Sequence, residues 1–134
     1  MQEKFMRLAL KEAIKAYKKG EVPVGAIIVK NNKVIAKSYN KIESKKDATR
    51  HAEINVIKKA SHKLKNWRLI DCDMYVTLEP CEMCSGAIKL SRIKNVYYLL
   101  NKKTEYIEKK YIKLEYENNE YLNLIQNFFK NKRM

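Results

Sequence analysis

Cysteine, glycine and proline are all scarce in this 134-residue chain, at three, three and two residues. Three cysteines do not make a disulfide framework, which sets aside the small secreted scaffolds that rely on several bridges. No repeat, linker or long low-complexity stretch divides the sequence, and 134 residues is one domain by length, so a single domain over 1–134 is expected. No run approaches the roughly eighteen apolar residues of a membrane span, so no membrane association is expected. Glu3 and Glu12 fall within a helical pattern, unlike a signal or transit peptide, and the mature chain is expected to begin near Met1.

Negative charge is also in short supply, with 15 acidic side chains against 29 basic ones and a net charge of +14. A surface of that sign concentrates phosphate and gains from counterion release, which suits a nucleic-acid partner. Yet 24 of the 29 basic residues are lysine, and Lys, Asn, Ile and Tyr are all abundant. A biased genome gives the same composition, so charge alone does not decide.

What the chain does hold is His51-Ala52-Glu53 and, some thirty residues on, Pro80-Cys81-Glu82-Met83-Cys84. One histidine and one Cys-x-x-Cys make three zinc-type ligands, whereas purely structural zinc sites usually close with four. Three leave a position for water, and the carboxylate of Glu53 is placed to move that water's protons. Cys81 and Cys84, three apart at the start of a helix, fall on one face, where the helix N-terminus favours thiolates. Three rivals remain: Cys72 as a fourth ligand that would close the site, His62 as another, or a redox Cys-x-x-Cys. Cys72 reads better as a small buried residue, and His62 lies at no finger spacing from His51. Redox motifs lack a His-x-Glu partner. Thiolates that must stay reduced imply a reducing compartment, and a cytoplasmic location is expected.

These residues resemble the zinc-dependent nucleobase deaminases, with their H-x-E…P-C-x-x-C signature. Glu21-Val22-Pro23-Val24-Gly25-Ala26, Asn40, Asp47 to Glu53, Asn66 to Ile70 and Tyr75 to Cys81 extend the match. Together they are similar to the tRNA adenosine deaminases, which convert the wobble adenosine of an anticodon to inosine. The likeness covers about the first two thirds of the chain. It implies a three-layer, cytidine deaminase-like α/β fold: a mixed sheet of about five strands, helices on both faces, and the two metal-bearing helices side by side. It also implies one zinc on His51, Cys81 and Cys84, Glu53 as the acid/base, and Asn40, Ala52, Pro23, Val24 and Pro80 around the base. The partner would be the anticodon loop of a tRNA, and the protein a homodimer, with a heterodimer open. One departure stands out. The family carries a glycine-containing segment after the strand ending near residue 100, whereas the last glycine here is Gly86.

In chain order, Met6, Leu10, Ala13 and Tyr17 place an amphipathic helix over residues 2–19, ended by Gly20. Val22 to Val29 and Val34 to Tyr39 read as antiparallel strands joined at Asn31-Asn32. Pro23 and Gly25 suit an edge, or a close approach by something else, which in the family is the target base. A lysine-rich loop leads to Thr49, the expected N-cap of a helix over 50–60 with His51 and Glu53 in its first turn. A strand at 73–78, a helix at 81–90 opened by Pro80, a strand at 95–100, a possible strand at 111–116 and a helix at 118–132 complete the expectation. In the last helix, Phe128 and Phe129 read as core or as a base-stacking surface, beside a basic end of Lys130, Lys132 and Arg133.

Three functions follow. The first is hydrolytic deamination of wobble adenosine in tRNA. The second is the same chemistry on a small base or nucleoside of the guanine or cytosine type, which the missing glycine segment favours. The third is a non-catalytic, zinc-stabilised RNA-binding subunit; such subunits typically lose the acid/base glutamate, and Glu53 is present.

Overall fold

The computed structural model describes residues 2–101, 111–115 and 119–132, the side chains of 131 and 132 excepted. The glycine-free stretch 102–110, Tyr116, Asn118 and the basic side chains of Lys132 and Arg133 lie outside the described residues. The elements are α1 (Gln2–Lys18), β1 (Gly25–Lys30), β2 (Lys33–Tyr39), α2 (Ile42–Lys45), α3 (Ala52–Leu64), β3 (Cys72–Leu78), α4 (Glu82–Leu90), β4 (Asn95–Leu100), β5 (Ile112–Lys113) and α5 (Asn119–Lys132). The expected five-stranded mixed sheet is present, in the order β2-β1-β3-β4-β5. β1 pairs antiparallel with β2 and with β3, while β3, β4 and β5 run parallel.

Alternation along the strands builds two cores. Ala26, Ile28, Met74, Val76, Val96 and Tyr98 face α3 and α4, where Ala52, Val56, Ala60 and Ile88 meet them. Ile27, Val29, Tyr75, Tyr97 and Leu99 face the other way, against Phe5, Met6 and Ala9 of α1. Tyr75 and Tyr97, paired in register, stack with centroids 4.7 Å apart. The last helix joins this second layer through Tyr121 and through Phe128, whose ring lies 6.5 Å from that of Tyr17. Asn31 and Asn32 both take positive φ, 52° and 61°, as a two-residue turn matched to strand twist requires.

Gly25 explains how the first layer sits. A Cβ there would collide with the carbonyl of Ala9, the amide of Ala13 and the Cβ of Glu12. Helix α1 thus crosses directly over the start of β1. The close approach expected at Gly25 is made by this helix, and β1 is an interior strand, not an edge. The same crossing shifts the buried stripe of α1 to Phe5, Met6, Ala9, Glu12, Ala13 and Ala16, leaving Leu10 and Tyr17 half-buried. Only small side chains fit where the backbones meet.

Several boundaries differ from expectation: α3 runs on to Leu64 and not to 60, and β5 covers only Ile112–Lys113 of the strand expected over 111–116. β1 begins at Gly25 and not at Val22, because Val24 donates to the Val22 carbonyl at 2.8 Å in a tight turn. The lysine-rich loop contains a short helix, α2, supported from outside by Glu21. Thr49 does not cap α3. Its amide and hydroxyl both go to Asp47 Oδ1, at 2.9 and 2.7 Å, in a self-contained turn. The helix therefore starts later, with His51 at its N-cap.

Candidate active site

Because β1 runs opposite to β2 and β3, the end of β2, the start of β1 and the end of β3 share one edge of the sheet. The N-termini of α3 and α4 open at that edge. Asn40 follows β2, Val22 and Val24 precede β1, and Leu78 and Glu79 close β3. Crevices at the carboxyl ends of strands are where open α/β sheets place their ligands.

The two helices begin alike. His51 is the N-cap of α3 with φ −66° and ψ 155°, and Cys81 is the N-cap of α4 with φ −76° and ψ 177°. Neither side chain caps its own helix, and both point into the space before the N-termini. Pro80 accordingly lies just outside α4, not in its first turn. Cys84, one turn in, is fully buried. His51 Nδ1 lies 3.6 Å from Cys81 Sγ and 3.4 Å from Cys84 Sγ. A tetrahedral zinc with ordinary bond lengths separates a nitrogen and a sulfur ligand by about 3.6 Å. One nitrogen and two sulfurs at this spacing fit zinc, which is the cofactor of the chain. Among the described residues, this trio is the group of metal-type side chains close enough to share an ion.

Both rivals stand apart from it. Cys72 sits in the α3/α4 core at the far end of β3, about 20 Å along the strand from Leu78. Burial pushes its thiol pKa up. His62 is exposed, about 16 Å along α3 from His51.

Electrostatics divide the two cysteines. The neighbouring Cys84 thiol, then His51, hold Cys81 down to about 3, so it is a thiolate. The proton shared with Cys81, then burial and the nearby Glu53 carboxylate, raise Cys84. Glu53 is therefore close to the Cys84 sulfur; it is also 4% exposed and lines the cavity in front of the ligands.

That cavity holds about 220 Å³ and is walled by Val22, Val24, Asn40, Ile42, His51, Ala52, Glu53, Leu78, Glu79, Cys81 and Phe129. Of the residues expected around the base, Asn40, Ala52 and Val24 reach it, while Pro23 and Pro80 do not line it. The Pro23 carbonyl instead accepts from Tyr121, which keeps it facing the interior. Asn40 is 4% exposed, and its Oδ1 has no hydrogen-bond partner among the described residues. Sequence reasoning missed Val22, Ile42, Leu78 and Glu79 as cavity residues, and it left Phe129 between core and stacking surface. The structure separates that pair, with Phe128 buried and Phe129 47% exposed on the cavity.

A three-layer α/β sheet with a His/Cys/Cys cluster and a glutamate at one cavity defines a zinc-dependent deaminase. The model of the MafB19-like deaminases matches residues 1–133. The tRNA-specific adenosine deaminase of Buchnera aphidicola is 42% identical over 96% of this chain and 94% of its own length. That of Aquifex aeolicus is 53% identical over 72% of this chain, which spans 64% of that relative's length. Among solved structures, one from a study of tRNA:A34 deaminases is 47% identical with a TM-score of 0.73, over 75% of this chain and 77% of that one. A guanine deaminase from Bacillus subtilis is 29% identical with a TM-score of 0.71, over 96% and 93%. The chain belongs to the tRNA-specific adenosine deaminase family.

Proposed function

We propose that this protein hydrolyses the wobble adenosine of a tRNA anticodon to inosine, as a single deaminase domain over residues 1–134. The observation that carries this reading is Glu53 beside the His51, Cys81 and Cys84 cluster, on the wall of a cavity of about 220 Å³. That space is smaller than the roughly 300 Å³ and upward of drug-sized clefts, so it suits one base and not a stacked strand. The nucleotide must therefore leave its loop to react, which an anticodon permits.

His51, Cys81 and Cys84 would hold the zinc, which when bound would supply the Lewis acidity that makes water nucleophilic near neutral pH. Glu53 takes a proton from the attacking water, passes it to the ring nitrogen, and takes and returns the second as the C6 amine departs. The balance is adenosine plus water to inosine plus ammonia. Asn40 offers its unpartnered oxygen to a donor on the nucleoside. Ala52 and Val24 wall the base, and Phe129 lies at the opening for a neighbouring base to stack on.

The +14 charge suits RNA, and the three free cysteines suit a reducing cytoplasm. Among the described residues no helix is long and apolar enough to cross a membrane. We read the protein as a homodimer through α4. Met83, Gly86, Ala87 and Leu90 form an apolar face at three- and four-residue spacing, with Met83 39% and Leu90 69% exposed. At Gly86 a Cβ would meet nothing within 4 Å, so a second helix can come close. Glu82 and Lys89 flank this face two turns apart. An antiparallel copy would set each glutamate against the other's lysine.

The guanine deaminase likeness over nearly the whole chain, with the missing glycine after Gly86, favours a second reading on small bases. Zinc-loaded protein given total tRNA and free nucleobases and nucleosides separates the two by mass spectrometry. Inosine at the wobble position is the expected product. Consumption of guanine or cytosine compounds with no inosine in tRNA rejects the RNA reading.

A further inference from the structure

The segment Glu21–Gly25 forms a wall of the cavity, yet only its last residue belongs to a strand. Backbone bonds tie its ends, the Glu21 amide donating to the Ala16 carbonyl at 3.0 Å and the Asn40 amide to the Val24 carbonyl at 3.1 Å, which leaves the Pro23 carbonyl between them to be fixed. Three buried hydrogen bonds in series do so. The Gly25 amide donates to Thr77 Oγ1 at 3.2 Å, the Thr77 hydroxyl donates to the Tyr121 oxygen at 2.9 Å, and the Tyr121 hydroxyl donates to the Pro23 carbonyl at 2.9 Å. Tyr121 is 1% exposed and Thr77 is fully buried, so no solvent competes for these bonds. Burial raises the Tyr121 pKa, which keeps its proton in place as a donor.

The chain of bonds spans three parts of the fold: the wall, the end of β3, and α5. Phe129, at the cavity, lies eight residues beyond Tyr121 on α5, about 12 Å along its axis. Phe128 fixes that end of the helix against Tyr17, and Tyr121 fixes the other against Pro23. A helix held at both ends cannot rotate or slide, so the position of Phe129 depends on the Tyr121 bond. Val22 and Val24 flank the carbonyl that receives it. The Val22/Val24 wall and Phe129 thus share one hydroxyl.

We infer that Tyr121 is a positioning residue whose hydroxyl locks the wall at 22–25 to α5 and so fixes where Val24 and Phe129 meet the substrate base. The inference rests on the proposed deaminase reading for its substrate, though not for its geometry. Tyr121 touches no reacting atom. Its loss loosens substrate binding and leaves proton transfer at Glu53 in place.

The test is Tyr121→Phe in the full zinc-loaded chain, a change that removes one oxygen and keeps the ring. Leaving the Pro23 carbonyl without its donor should speed amide exchange at Val24 and Gly25 about tenfold, with zinc content unchanged. Affinity for an anticodon-type RNA hairpin, carrying unsubstituted purine in place of the target adenine, should fall about tenfold by fluorescence anisotropy. With adenine in place, the loss should fall on KM more than on kcat. A variant that melts earlier yet keeps wild-type exchange and hairpin affinity overturns the inference, because the hydroxyl then serves stability alone. Thr77→Val, which removes the middle hydroxyl, should speed Gly25 exchange likewise; unchanged exchange in both variants also overturns it. If wild-type protein binds no hairpin, the RNA reading fails and the exchange measurement still decides the role of Tyr121.

Discussion

His51 and Cys81, thirty residues apart in sequence, hold equivalent places on two adjacent helices: each is an N-cap with an extended backbone, and Nδ1 and Sγ lie 3.6 Å apart. Each N-cap side chain projects beyond its helix, so the two meet in front of both N-termini. The positive ends of two helix dipoles then converge on the sulfurs, where negative charge gathers. Cys84 joins from one turn inside α4, which is why it is buried while Cys81 stays half-exposed.

This arrangement predicts unequal cysteines in the metal-free protein. Cys81 is held down to about 3 by Cys84 and His51, while Cys84 and Cys72 are raised. At pH 6, iodoacetamide should label Cys81 first, read by peptide mass spectrometry. The folded Cys81 is ionised from about pH 3, whereas the unfolded thiol ionises near its ordinary 9.0. The unfolded chain thus binds more protons across that window, and this group's contribution to stability rises with pH and is lost as pH falls toward 3. Zinc must displace the proton on Cys84, so its affinity should weaken as pH falls, about tenfold per unit for one proton. Equal labelling of all three thiols, or a zinc affinity flat between pH 6 and 8, would contradict the assignment.

Glu53 separates metal binding from turnover. Glu53→Gln keeps the shape of the side chain and removes its capacity to accept and return a proton. Turnover should fall about 10²- to 10⁴-fold, with one zinc per chain still measured by atomic absorption. Because Glu53 is buried, the neutral amide spares the desolvation of a charge there, and the metal-free protein should not be less stable. A Glu53→Gln protein at near wild-type rate would remove the acid/base role.

The candidate metal cluster of His51, Cys81 and Cys84 was legible in the sequence because its chemistry is carried by residue type and spacing, and the sheet because apolar alternation sets it. Helix starts were less legible. Thr49 has the right side chain for an N-cap, yet Asp47, two residues earlier, competes for it and wins. Gly25 signalled a close approach correctly, though not what approaches, since how α1 folds back over the strand that follows it is a tertiary matter. Ile42, Leu78 and Phe129 carry no local mark of function; they reach the cavity only through tertiary contacts.

The apolar face of α4 predicts association. Leu90→Glu places a charge where the face is 69% exposed, so the folded protomer has nothing to lose there. Burying that charge in an interface costs several kcal/mol by contrast, an order-of-magnitude figure. Sedimentation equilibrium should show wild-type protein as a dimer and Leu90→Glu as a monomer with an unchanged circular dichroism spectrum. Wild-type protein that stays monomeric at assay concentration would remove the dimer from the proposal.

Glu21 supplies the last case. It is 1% exposed, and its two carboxylate oxygens accept from the amides of Glu43 at 3.0 Å and Ser44 at 2.7 Å. These are the second and third residues of α2, whose own N-cap, Lys41, makes no side-chain cap bond. An acidic side chain from twenty residues away thus does the work of a local cap. Through α2 it sets Ile42 against the cavity, and Asn40 lies just upstream. Glu21→Gln leaves one of the two amides facing an NH₂ group, so stability should fall by about 1–2 kcal/mol in denaturant melts. Amide exchange at Glu43 and Ser44 should quicken while exchange in α3 does not. The wall that Ile42 forms would then be looser, and KM for the RNA should rise more than kcat falls. Unchanged exchange at both amides would show that α2 holds without Glu21.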